Sequence, residues 1–188
     1  MAQNFIKLQI KKKLEVLNKR VQSNNKLPLS VIQYDETDII NCLNTLTRGW
    51  PTIGNEVLKV EKKIQKLLKV KNAIMLNSGG SSNFLILYLL TSVYAKKSDK
   101  LEPGDEILTP AVTWSTTVSP IIQNNLIPVL IDVNLSTYDI NVDLMEKAIT
   151  KKTRAIMLVH PLGQVCNMNK ILRICKKHNL LLIEDNCE

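Results

Sequence analysis

The stretch GDEILTPAVTWSTTVSPIIQNNLIPVLIDV, residues 104–133, carries the reading of the fold. It opens on a turn, runs through a short apolar segment at 106–109, and breaks at Thr109-Pro110. Residues 115–124 then take helical spacing. A second apolar run, Ile127 to Val133, is bounded by turn residues. A strand that is apolar at successive positions has both faces covered, which is the signature of a parallel sheet rather than a half-exposed antiparallel one.

The alternation continues on both sides of this unit. Upstream, Val57, Val60, Ile64, Leu67 and Leu68 fall on one helical face. Residues 73–76 predict a strand and residues 82–94 a helix. Downstream, Leu144, Met145, Ala148 and Ile149 predict a helix, 155–159 a strand, Met168, Ile171, Leu172 and Cys175 a helix, and 180–183 a last strand. Short apolar strands alternating with amphipathic helices imply an α/β fold of three layers, a largely parallel sheet with helices on both faces. Residues 1–50 read differently, as a basic helix at about 3–20, a polar linker and a second helix at about 35–47. They form a helical lead segment, and residues 51–188 form the α/β domain.

Composition narrows the partners. The 188 residues are 45% hydrophobic and 22% charged, ordinary values for a soluble globular domain. The net charge of +8 comes mainly from lysines in short runs such as 11–13 and 176–177, a pattern of solvated helix surface. No segment interleaves arginine with aromatics, so no nucleic-acid groove is expected. The longest apolar run, residues 84–90, is too short to span a bilayer, and the N-terminus lacks the apolar region of a signal peptide. Cys42, Cys166, Cys175 and Cys187 have no metal-finger spacing, so no metal is expected. The expectation is a cytoplasmic protein with free thiols.

In open α/β sheets ligands bind beyond the carboxyl ends of the strands. Asn77-Ser78-Gly79-Gly80-Ser81-Ser82-Asn83 precedes a helix, and its glycines and hydroxyls suit either a phosphate cup or a plain serine-capped turn. It lacks the GK[ST] ending of a Walker loop. A dinucleotide fingerprint would need an acidic end to the next strand, which instead ends Thr109-Pro110. Trp114, among the hydroxyls of Ser115, Thr116 and Thr117, suits either stacking on a planar heterocycle or core packing. Asp185, at the end of the last strand, needs a cationic partner, a metal or a helix to cap. A protonated pyridine nitrogen is one such cation. His160, ending the strand before, is a lone histidine of structural type.

These residues, in this order, resemble the DegT-type sugar aminotransferase family of fold type I pyridoxal-phosphate enzymes. The resemblance rests on residues 77–83, on Gly104-Asp105-Glu106 with Thr109-Pro110, on residues 113–117, on Ile131-Asp132-Val133 with Thr137-Tyr138, and on Glu184-Asp185. It runs from about Pro28 onward. Asp185-Asn186-Cys187-Glu188, the insertion at 91–103 and residues 114–117 are most similar to the nucleotide-sugar 3-dehydratase branch, which uses pyridoxamine phosphate to remove the 3-hydroxyl of a 4-keto-6-deoxyhexose.

The resemblance implies that Gly80 and Ser81 hold the phosphate of pyridoxal or pyridoxamine 5'-phosphate. It implies that Trp114 stacks on the ring, Asp185 pairs with its nitrogen and Glu188 lies near its hydroxyl. Thr52 and Gly54 would lie on the substrate side. At Gly80 the dehydratases usually carry serine. The expected partners are a nucleotide sugar, glutamate as amino donor and a second copy in a homodimer, with no nucleic acid or membrane. The family's Schiff-base lysine, or the histidine that replaces it in the dehydratases, falls beyond Glu188, as does a small C-terminal domain. No catalytic residue is therefore expected within the 188 residues, and this chain alone is expected to be inactive.

Overall fold

Burial on two faces requires two layers of helix, and the computed structural model supplies them. It describes residues 2–22, 33–50 and 52–187. The chain forms two compact units, residues 1–75 and 76–188.

The first unit contains α1 (Ala2–Gln22), α2 (Glu36–Thr47) and α3 (Asn55–Leu68), so α3 falls with the lead segment rather than with the sheet. Asp35 starts α2 with a capping box. Its carboxylate accepts from the Thr37 and Asp38 amides at 2.7 and 3.1 Å, while Asp38 accepts from the Asp35 amide at 2.9 Å. α3 stops at Lys69, whose left-handed backbone (φ 54°) closes the last turn. The strand expected at 73–76 does not form. Its Met75 amide donates to the Glu61 side chain of α3 at 2.9 Å, and no other strand pairs with the segment. Apolar content alone cannot make a strand where the backbone has no ladder to join.

The second unit contains α4 (Gly79–Thr91), β1 (Glu106–Pro110), α5 (Ser115–Gln123), β2 (Ile127–Ile131), α6 (Val142–Lys147), β3 (Thr153–Val159), α7 (Met168–His178) and β4 (Leu181–Asp185). The four strands are parallel, in the order β2-β1-β3-β4. α4 starts three residues earlier than the expected 82. Ser78 caps it, and its hydroxyl accepts from the Ser81 amide at 3.2 Å. The two glycines read as loop are its first turn.

Successive residues of β1 and β3 point to opposite layers. Ile107, Ala155 and Met157 join Leu87 of α4 and Ile121 of α5 in one core. Leu108, Ile156 and Leu158 join Met145 of α6 and Ile171, Ile174 and Cys175 of α7 in the other. Ile107, Leu108, Ile156, Met157 and Leu158 are fully buried. Each such side chain contributes about 1.5–3 kcal/mol through burial.

The connections fix where a ligand can sit. From β1 the chain leaves through α5 to β2 on one flank. From β3 it leaves through α7 to β4 on the other. The carboxyl ends of β1 and β3 are therefore the switch point, where the connections diverge and open a crevice.

Candidate functional site

Asp185 ends β4 on the α4/α5 side of the sheet. Its Oδ2 accepts from Asn83 Nδ2 of α4 and from Thr117 Oγ1 of α5, both at 2.8 Å. Among the described residues its Oδ1 accepts only the Cys187 amide, at 3.3 Å. Asn83 and Thr117 are buried. One carboxylate oxygen is thus committed to two helices, and the other remains available to a further donor.

Trp114 caps α5 and leaves 63% of its surface exposed. Among the described residues it is not part of either core cluster. The Thr117 amide donates to the Trp114 carbonyl at 3.0 Å, so Thr117 bonds both the backbone of Trp114 and the carboxylate of Asp185. Thr113, just before Trp114, and Thr109 in β1 each bury a hydroxyl with no partner among the described residues.

The start of α4 satisfies itself only in part. Ser78 takes the Ser81 amide and lies 3.1 Å from the Ser81 hydroxyl, and Ser82 donates to the Ser78 carbonyl. The amides of Gly79 and Gly80, in the first turn, have no helical acceptor, and a helix start of this kind favours an anion. An added Cβ at Gly80 would lie 3.2 Å from Thr116 Cγ2, so a bare backbone allows α4 and α5 to approach here. Ser78, Gly80, Ser81, Phe84, Thr116 and Ser119 are among the residues lining an open cleft of about 390 Å³ between these helices. Trp114 and Asp185 do not line it.

Gly80 and Ser81, in the first turn of α4, and Trp114 and Asp185, after β1 and at the end of β4, all belong to the second unit. Thr52 and Gly54 belong to the first unit. There Trp50 donates to the Ile53 carbonyl at 3.1 Å, and an added Cβ at Gly54 would lie 3.2 Å from Trp50 Cδ1. Glu188 lies outside the described residues. Asn83 and Thr117 were missed as partners of Asp185, although both stand inside quoted motifs. A buried amide five residues into a helix gives no sequence signal of what it bonds.

On the opposite face, His160 Nδ1 accepts the Cys166 amide at 3.2 Å and Nε2 lies 3.0 Å from Glu184 Oε2. The amide fixes the tautomer, so Nε2 is the donor. Burial pushes the Cys166 and Cys175 thiols above their ordinary value. No group of three or more metal-ligating side chains occurs among the described residues. None of the described helices is long and apolar enough to cross a membrane.

A parallel sheet with helices on both faces, with Trp114 and Asp185 after its strand ends, is the architecture of the fold type I enzymes. Residues 33–188 match the DegT/DnrJ/EryC1/StrS aminotransferase family, and the chain belongs to it. It is 45% identical over 141 residues to the lipopolysaccharide biosynthesis protein RfbH of Salmonella typhimurium, covering 74% of this chain and 32% of that protein. It is 38% identical over 154 residues to the dTDP-4-dehydro-2,6-dideoxy-D-glucose 3-dehydratase of Saccharopolyspora spinosa, covering 82% and 33%. A crystal structure of GDP-4-keto-6-deoxymannose-3-dehydratase with a trapped PLP–glutamate geminal diamine superposes with a TM-score of 0.80 at 32% identity, covering 87% of this chain and 42% of that one. The chain spans about a third of the length of these two curated relatives.

Proposed function

We propose that the protein carrying this chain is a pyridoxal- or pyridoxamine-phosphate enzyme of nucleotide-sugar metabolism that removes the 3-hydroxyl of a nucleotide-linked 4-keto-6-deoxyhexose, as in lipopolysaccharide or O-antigen synthesis. The observation that carries the reading is Asp185, a carboxylate held at a strand end with one oxygen spare. The names of the similar 3-dehydratases support the choice of reaction. When bound, the cofactor's protonated ring is an electron sink for a substrate carbanion.

The residues of this chain bind and orient. The amides of Gly79 and Gly80 and the Ser81 hydroxyl suit the phosphate, since a helix start favours an anion. The exposed face of Trp114 suits stacking on the ring. Asp185 Oδ1 suits the ring nitrogen, and a charge-assisted bond there holds the proton on that nitrogen. Glu188 is assigned to the ring hydroxyl, and Thr52 and Gly54 to the substrate side. The cofactor-binding domain is assigned to the second unit, residues 76–188, with the first unit ahead of it in the chain. Glutamate is assigned as amino donor and a homodimer as the working form. Turnover is proposed for the whole protein.

A second reading is sugar-nucleotide amination, which the name of the matched family favours. The full-length protein, incubated with a nucleotide-linked 4-keto-6-deoxyhexose, glutamate and pyridoxal phosphate, separates them. A product lacking its 3-hydroxyl supports dehydration, and an amino sugar supports the alternative. Unchanged cofactor affinity in Trp114→Ala and Asp185→Ala would overturn both.

A further inference from the structure

We infer that Asn83 and Thr117 are positioning residues that select which oxygen of Asp185 meets the cofactor's ring nitrogen, an inference that rests on the proposed function. Both donate to Oδ2, which leaves Oδ1 with one long backbone contact among the described residues. A carboxylate otherwise swings about its last torsion, whose wells are broad and nearly two-fold. Two donors from two different helices remove that freedom.

The arrangement is prepared by Pro120. It lies inside α5 and has no N–H, so the Thr116 carbonyl four residues earlier lacks its helical donor. Asn83 Nδ2 fills that place at 3.2 Å while bonding Asp185 with its other hydrogen. Both hydrogens of the amide are used, and a flipped amide would set its oxygen against a carbonyl and a carboxylate. The proline thus fixes the asparagine, and the asparagine fixes the acid.

The test uses the full-length protein and pyridoxamine phosphate, read by its affinity and by the pH at which its bound absorption changes. Thr117→Val keeps the shape and removes the hydroxyl, and Asn83→Leu removes the amide. Each is expected to weaken binding about tenfold, the size of one lost hydrogen bond to a charged group. Each should also lower the titration of the bound ring by about one pH unit. Thr117→Ser should restore both readings, which a purely structural role would not require. Thr117→Ala serves if the valine variant does not fold. If the variants titrate and bind like wild type while Asp185→Asn loses both properties, the positioning role is overturned alone. If Asp185→Asn also behaves like wild type, the cofactor reading itself falls.

Discussion

Glu184 and Asp185 are consecutive in β4 and serve opposite faces of the sheet. Asp185 takes donors from α4 and α5, and Glu184 takes His160 at the end of β3. The period of two in a strand forces this division, since neighbouring side chains point to opposite sides. One face holds an acid between α4 and α5, and the other joins the ends of β3 and β4. A one-residue slip of β4 would exchange the two carboxylates and destroy both arrangements. His160→Ala is therefore expected to leave the buried Cys166 amide without an acceptor and to cost about 1–3 kcal/mol. Urea unfolding measures the loss. Nitrogen NMR of the wild-type ring should show the proton on Nε2.

The two cores predict additive damage. Leu87 and Ile171 are both fully buried, but they belong to clusters on opposite faces of the sheet. Leu87→Ala and Ile171→Ala should each cost about 2–5 kcal/mol through lost burial and the cavity left behind. Sharing no packing partner, they should add to within about 0.5 kcal/mol in the double variant. Denaturant titration of the two single variants and the double variant checks both figures.

The sequence made the sheet legible because its signal is local. The apolar runs of β1 and β3 are buried as expected, whereas β2, expected over 127–133 as a buried strand, spans Ile127–Ile131 at the edge of the described sheet and leaves Ile127 and Leu130 exposed. Residues 73–76 misled because a strand also needs a partner, and pairing is not written in the segment itself. The start of α4 misled in the other direction. Gly79 and Gly80 weaken a helix on propensity, yet Ser78 caps it and the glycines enter the first turn. For the candidate site, Trp114 and Asp185 were read from strands that do form, whereas Gly80 and Ser81 were read from a strand at 73–76 that does not. Asn83 and Thr117 were not read as partners of Asp185, because their roles arise from contacts across 102 and 68 residues of sequence. The dependence of Asn83 on Pro120 is likewise a fact of helix packing.

Gly80 offers a signed test of close packing. Alanine there gains helix propensity, about 0.5–1 kcal/mol, but its Cβ would stand 3.2 Å from Thr116 Cγ2 and 3.3 Å from Thr116 Cβ. The two effects oppose each other, so Gly80→Ala should change stability by no more than about 1 kcal/mol. Thr116→Ser removes the closer methyl. In that background the same alanine should be stabilising by up to about 1 kcal/mol. Thermal unfolding of the four proteins in this cycle measures the coupling. Equal effects of alanine in both backgrounds would mean that α4 and α5 move apart without cost.

The four cysteines are free, and they divide by environment: Cys42 and Cys187 are exposed, while Cys166 and Cys175 are buried. Burial raises the last two above the ordinary thiol value of 9.0. The thiolate is the reactive form, so iodoacetamide at neutral pH should modify Cys42 and Cys187 first and leave Cys166 and Cys175 intact until the protein unfolds. The same shift sets a sign for stability. The folded state holds these two protons to a higher pH than the unfolded state does, so it binds more protons over that interval. Stability is fully present below the unfolded value and falls as pH rises through the folded one. Urea midpoints should therefore decline above about pH 9. In Cys166→Ala/Cys175→Ala that alkaline decline should be shallower, although the double variant starts from a lower stability because its core has lost two packed sulfurs.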